Sequence, residues 1–298
     1  MIHAGGARIL LLGKVGQLGW ELERCLQPLG TVLALDYPDI DLALEKSIRP
    51  LVRSIHPEVI INATAYTAVD QAESEPQAAQ AINATAPGIL AEEAVRVGAG
   101  LLHFSTDYVF DGLASRPYAE TDPAEPINTY GKTKLEGERA IQAAGGAYLI
   151  LRTSWVYSLR RKSFVTQVLH WARTQTTMRV VSDQVSSPTW CRTLAGATAC
   201  LIARGGTPLR GWLSQHAGVY HLAGQGTASR LEWAQEILRL DPGREEHVVR
   251  KILAARSNEF PTPAQRPRFS ALSCERFRTT FGFGLPDWKE DLRLAMES

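Results

Sequence analysis

The chain has 298 residues, enough for one large domain or two with a sizeable buried core. Hydrophobic residues make up 45% and charged residues 21%, which excludes a disordered or fibrous protein. Lys plus Arg number 32 against 31 for Asp plus Glu, a formal net charge of +1 without a long basic run, so nucleic acid is excluded as a main partner.

In chain order, Arg8–Gly13 reads as a buried strand, Gln17–Gln27 as a helix and Thr31–Asp36 as a second strand. Leu44–Ile55 follows as a helix, Val59–Thr64 as a strand and Ala78–Val97 as a long helix. Then come the strand Leu101–Thr106, the helix Tyr130–Ala144 and the strand Ala147–Ser154. Continuous apolar strands alternating with amphipathic helices predict an α/β fold, a doubly wound parallel sheet of the Rossmann type with ligands at the carboxyl ends of its strands. After Tyr157 the pattern is less regular: helices at Phe164–Arg173, Thr193–Ala203 and Leu231–Leu238, strands at Arg179–Ser182 and Val219–Leu222, and an ordered loop over Asn258–Pro267. The division expected is a nucleotide-cofactor domain over residues 1–157 and a smaller substrate lobe over 158–298, some of whose elements return to the sheet.

The apolar run Ile9–Leu12 is too short for a signal peptide or membrane span. Cys25, Cys191, Cys200 and Cys274 show no C-x-x-C spacing, as expected of reduced thiols in a cytoplasmic protein. The histidines show no metal-ligand spacing.

Two constellations carry chemistry. Gly13, Gly16 and Gly19 form G-x-x-G-x-x-G directly after the first strand and open the first helix. The first glycine permits a tight turn, the second lets backbone N–H groups approach a pyrophosphate, and the third lets the helix pack closely on the strand. Asp36, ending the second strand, stands where an acid accepts from a ribose 2′-hydroxyl or simply belongs to a turn. The second constellation is Tyr130 and Lys134, a Y-x-x-x-K pair on one helical face. An ammonium one turn away is expected to lower the phenol pKa, so that the pair exchanges a proton with a carbonyl or alcohol oxygen while hydride moves on carbon. Thr106, at the end of the fourth strand, can support the same oxygen or cap the strand.

With these residues in hand, the chain resembles the extended short-chain dehydrogenase/reductase family, and within it the enzymes that reduce the C4 ketone of dTDP-4-dehydro-L-rhamnose. The resemblance rests on Gly13–Leu22 (GKVGQLGWEL), Asn62–Glu75 (NATAYTAVDQAESE), Ser105–Gly112 (STDYVFDG), Tyr130–Glu138 (YGKTKLEGE) and Leu151–Tyr157 (LRTSWVY). Weaker echoes lie in Val180–Thr189, Gly218–Gly224 and Arg266–Leu272. It implies an NADH- or NADPH-dependent oxidoreductase of dTDP-rhamnose biosynthesis with a nucleotide-sugar substrate. By the same resemblance, Tyr130 is the proton donor, Lys134 binds the nicotinamide ribose and tunes the tyrosine, and Thr106 positions the oxygen. Gly16, Gln17 and Leu18 hold the pyrophosphate, Asp41 and Leu42 flank the adenosine end, and Ala65, Tyr66, Thr67 and Phe104 line the cofactor. Thr106, Asp107, Tyr130 and Trp155 contact the sugar. Some family members bind Mg2+ through glutamates at a homodimer interface, where Glu21 matches one position and Glu290 offers a second. The chain departs from the family at Ser158–Ser163, whose Arg160, Arg161 and Lys162 read as a solvated loop, at Ser182, Ser186 and Ser187, and at Phe269. Those departures leave open a reductase or epimerase of another nucleotide sugar, and a non-catalytic NADP-binding regulatory subunit is the alternative outside enzymes.

Overall fold

Six apolar runs become the strands of one parallel sheet in the computed structural model, which describes residues 7–206 and 208–297. They are β1 (Ala7–Leu12), β2 (Gly30–Leu35), β3 (Val59–Asn62), β4 (Gly100–Thr106), β5 (Ala147–Thr153) and β6 (Gly218–His221), in the spatial order β6-β5-β4-β3-β1-β2. Residues 1–6, the start of the expected cofactor domain, lie outside the described residues. Side chains alternate across the sheet. Ile9 and Leu11 therefore enter the core on one face, with Leu22, Leu102, Leu149 and Leu194. Leu10 and Leu12 enter the core on the other face, with Ile60, Leu90 and Leu101. Burying each such side chain is worth roughly 1.5–3 kcal/mol, which is why strands covered on both faces read as unbroken apolar runs.

The first helix, α1 (Gln17–Leu26), and α2 (Glu45–Ile55) follow β1 and β2. The expected single helix over Ala78–Val97 is instead Pro76–Gln80, a π turn at Ala81–Thr85, and α3 (Ala86–Val97). The π turn sets Asn83 facing the 63–67 loop, where its Oδ1 accepts from Tyr66 N at 2.8 Å and its Nδ2 donates to Thr133 Oγ1 at 3.1 Å. Such turns recur at functional sites. Next comes α4 (Thr129–Ala144), capped by Asn128 Oδ1 accepting from Gly131 N at 2.8 Å.

The second half returns to the sheet through β6, which pairs with β5, and through α6 (Cys191–Gly205), which lies on α1. Around them are α5 (Phe164–Thr174), α7 (Arg230–Leu240) and α8 (Trp288–Met296). Periodicity does not reveal the short helices Val69–Ser74, Leu209–Gln215 and Glu275–Phe281, nor α8 and the strand Lys251–Ala255 that pairs with Thr177–Val181. Asn258–Pro267 is loop beyond the turn Ser257–Glu259, and Arg266 ties it to Asp70 at 2.5 Å. Among the described residues no helix is long and apolar enough to cross a membrane.

Candidate active site

Strand order reverses between β1 and β3, each continuing to a different side of the sheet, and ligands of open α/β sheets bind at such a switch point. A cavity of about 660 Å3 opens there, lined by Gly13, Gly16, Gln17, Asp36 and Ala65 at one end and by Thr106, Asp107, Tyr130, Lys134 and Trp155 at the other.

The first end is built of backbone. Gly13 has φ +96°, and a Cβ on it would lie 2.9 Å from the Ala63 carbonyl carbon. Gly19 does not line the cavity: its missing Cβ would lie 1.9 Å from Gly13 O, so it is the glycine that lets α1 close on the turn. Asp36 accepts from Val15 N at 3.0 Å and from Tyr37 N at 2.8 Å, so it braces the loop as well as facing the cavity. Gln17 Oε1 is buried without a partner among the described residues, a polar atom in the cradle that a ligand donor can satisfy. A glycine cradle at a helix N-terminus with free amide donors fits a dinucleotide pyrophosphate.

Several expected residues sit elsewhere. Tyr66 does not line the cavity, because its hydroxyl donates to Glu75 at 2.7 Å while Ala65 and Thr67 on either side do line it. Asp41 and Leu42 are also outside the lining: Asp41 Oδ1 accepts from Ala43 N at 2.9 Å ahead of α2, and Leu42 is buried. The basic turn is exposed, as expected of a solvated loop, but it also reaches the glycine end. Arg160 lies over the Trp20 ring at 4.5 Å, Arg161 donates to Val15 O, and Arg161 and Lys162 line the cavity above the glycine loop. A guanidinium only donates, so it is the backbone carbonyls of the glycine loop that these side chains reach.

The other end is built of buried side chains. Gly131 brings α4 against the turn that follows β4, since a Cβ there would lie 2.1 Å from Tyr108 O. Tyr130, one residue earlier, faces the cavity with its ring edge-on to Tyr108 at 5.8 Å. Its phenol shares a hydrogen bond with the Thr106 hydroxyl, which also accepts from Tyr108 N at 3.1 Å. The expected lowering of the phenol pKa is overturned. Burial, Asp107 and Tyr108 raise it above the ordinary tyrosine range, and the Thr106 bond opposes them only in part. Lys134 lies one turn on but is turned inward, donating to Phe104 O at 2.6 Å and standing 3.1 Å from His103 Nε2, and burial pulls it down to about 8.

Asp107 is buried and accepts from Ser186 Oγ at 3.0 Å and Ser270 Oγ at 2.5 Å, while burial pushes it up to about 6. The two serines come from the second half of the chain. Trp155 has φ +42°, stacks on Trp233 at 5.5 Å and carries the Arg230 guanidinium 3.6 Å above its ring. Below the site, Glu138 on α4 meets Arg152 on β5 at 2.6 Å and accepts from Ser105 Oγ at 2.5 Å, a buried pair that holds helix to sheet. Asn83, His103, Glu138, Arg152 and Arg161 carry no short motif. The one trace of the Glu138–Arg152 pair in sequence is a carboxylate and a guanidinium inside otherwise apolar elements.

Glu21, the candidate Mg2+ ligand, is buried with its carboxylate 3.4 Å from Arg192, and Glu290 pairs with Arg293 at 2.7 Å. A cation beside each carboxylate does not fit a divalent metal, and no cluster of three His, Cys, Asp or Glu placed to hold one occurs among the described residues.

The RmlD substrate binding domain model matches residues 7–298. The dTDP-4-dehydrorhamnose reductase of Burkholderia thailandensis is 42% identical, over 97% of this chain and 98% of that protein. Among solved structures, the dTDP-4-dehydrorhamnose reductase of Clostridium acetobutylicum superposes with TM-score 0.89 at 35% identity, covering 97% of this chain and 98% of that one. That of Bacillus anthracis, solved in complex with NADP, gives 0.88 at 32% identity, covering 98% and 100%.

Proposed function

The chain belongs to the RmlD substrate binding domain family, and on that premise we propose that it is an NAD(P)H-dependent oxidoreductase. It reduces the C4 ketone of dTDP-4-dehydro-L-rhamnose to give dTDP-L-rhamnose. The observation that carries this is the convergence of a glycine cradle, Tyr130, Lys134 and Thr106 on one cavity at the switch point of the sheet. The relatives named as dTDP-4-dehydrorhamnose reductases, one with NADP bound, support it.

When bound, the reduced dinucleotide supplies the hydride. Gly13, Gly16, Gln17 and Leu18 hold its pyrophosphate, Ala65, Thr67 and Phe104 flank it, and Lys134 meets its ribose. As negative charge develops on the C4 oxygen, Tyr130 gives that oxygen its phenolic proton, so ketone, hydride and proton balance as a secondary alcohol. The raised phenol pKa suits this direction, because the proton stays on Tyr130 until an alkoxide calls for it. Thr106 orients the phenol, Asp107 and Trp155 contact the sugar, and residues 158–298 grip the nucleotide. Glu21 and Glu290 are engaged with arginines, so no step runs through a metal. The same reading takes the chain to act as a homodimer in the cytoplasm.

The test is the loss of nicotinamide absorbance when the protein meets dTDP-4-dehydro-L-rhamnose made in situ, with NADH and NADPH supplied separately. Oxidation that depends on the sugar and vanishes in Tyr130→Phe is the expected result, and it reports the cofactor preference as well. Binding of either dinucleotide with no oxidation would refute the reductase and favour another keto-sugar nucleotide or a binding subunit.

A further inference from the structure

Behind the reaction end, hydrogen bonds run inward from Lys134 through His103 to Asn62, three residues that are each at most 1% exposed. The direction of this chain can be read from its inner end. The Thr64 backbone N–H can only donate, and it lies 3.1 Å from Asn62 Oδ1, with the Thr64 hydroxyl at 2.5 Å from the same oxygen. The Asn62 amide is therefore oriented with Nδ2 toward His103 Nδ1, 3.1 Å away. An amide NH2 offers no lone pair, so Nδ1 must accept. A neutral imidazole that accepts at Nδ1 carries its proton on Nε2. That N–H points at Lys134 Nζ, 3.1 Å away, and needs a lone pair there. An ammonium has none; an amine has one and can still donate to Phe104 O at 2.6 Å.

We propose that His103, oriented by Asn62, is a positioning residue that favours the neutral amine of Lys134 over its ammonium in the cofactor-free protein, and that a bound dinucleotide shifts this balance back, drawing a proton from solvent onto it. The proposal rests on the cavity being a dinucleotide site. The only bond formed is N–H on Nζ, and the proton comes from the buffer. Burial and the groups facing Lys134 set this balance. On its own helix, Tyr130 holds its proton, while the Glu138 carboxylate, paired with Arg152 of β5 and Ser105 of β4, favours the ammonium and opposes burial in part. From β4, His103 is held neutral by burial. Burial lowers Lys134 to about 8. The diphosphate of a dinucleotide brings negative charge into this cavity, which favours the ammonium.

Calorimetric titration of the whole protein with NADPH, near pH 8 in two buffers of different ionisation enthalpy, counts the protons taken up, since no phosphate of NADPH titrates there. The wild type is expected to take up about half a proton near pH 8, rising toward one at about pH 9, as a group with pKa about 8 requires. Asn62→Asp accepts from Nδ1–H, moves the lone pair to Nε2 and so restores the ammonium. Its uptake should fall below about a fifth of the wild-type value. Binding without proton uptake by the wild type, or uptake unchanged in Asn62→Asp, overturns the assignment of Lys134 while leaving the dinucleotide site intact. No binding of NADPH overturns both.

Discussion

One end of the cavity is walled by backbone and the other by buried side chains, and the two ends are held in place by different physics. At the glycine end, geometry comes from missing Cβ atoms at Gly13 and Gly19, and the nearest ion pair, Lys14 with Asp39 at 2.6 Å, is half-exposed. At the tyrosine end, geometry comes from groups that water barely reaches: Asp107 against two serine hydroxyls, Glu138 against Arg152, Lys134 against His103. A surface pair is screened and replaced by water at little cost, whereas a buried charge that loses its partner has no substitute. Binding is thus assigned to a part of the molecule tolerant of charge changes but not of added volume, and proton transfer to a part with the opposite tolerance.

Substitutions can sharpen or break this contrast. Tyr130→Phe should carry the largest effect, a loss of turnover on the order of 10²–10⁴-fold with NADPH affinity within about twofold; an equal loss of affinity would show that the two ends are not separable. Arg152→Ala leaves Glu138 buried and unpaired and should cost about 3–5 kcal/mol in guanidinium unfolding. At the other end, Lys14→Ala should leave the unfolding midpoint unmoved.

Asp107 gives a pH-dependent test. Its carboxyl rises from an ordinary 3.8 to about 6 on folding, so between those values the folded state binds more protons than the unfolded one. Relative to Asp107→Asn, the wild type should lose stability as pH climbs from about 4 to about 6 and level off above. Asp107→Asn removes that slope, gaining up to about 3 kcal/mol on the wild type across the window, measured by denaturation at stepped pH. Gly19→Ala forces a Cβ into Gly13 O and should cost about 1–3 kcal/mol and weaken NADPH binding about tenfold, read by nicotinamide fluorescence. The smallest change in affinity is expected for Arg161→Ala, about a threefold weaker NADPH binding that shrinks further as salt screens the charge. No change at all would return Arg161 to the role of a solvated residue.

Much of the first half was legible because its information is local. The strands from Ala7 to Thr153 match the apolar runs within a few residues, and the glycine spacing between β1 and α1 stands as expected. In the second half α5, α6 and α7 were legible by their apolar stripes, and β6 and the strand Thr177–Val181 by short apolar runs. The helix Glu275–Phe281 and the strand Lys251–Ala255 are short pieces stabilised by what they touch, and their own residues carry too little periodicity to announce them.

The amino-acid order by itself determined the parallel sheet, the position of the glycine turn and the pairing of Tyr130 with Lys134 on one face of a helix, because each follows from a short-range rule of backbone geometry or side-chain period. The tertiary structure alone decided which way Lys134 points, that burial keeps the Tyr130 proton in place, that Arg161 reaches the glycine loop, and that Ser186 and Ser270 close around Asp107. Those outcomes depend on desolvation and on contacts between residues up to 163 positions apart. Desolvation is a property of the assembled surroundings, and no segment of the chain carries it alone.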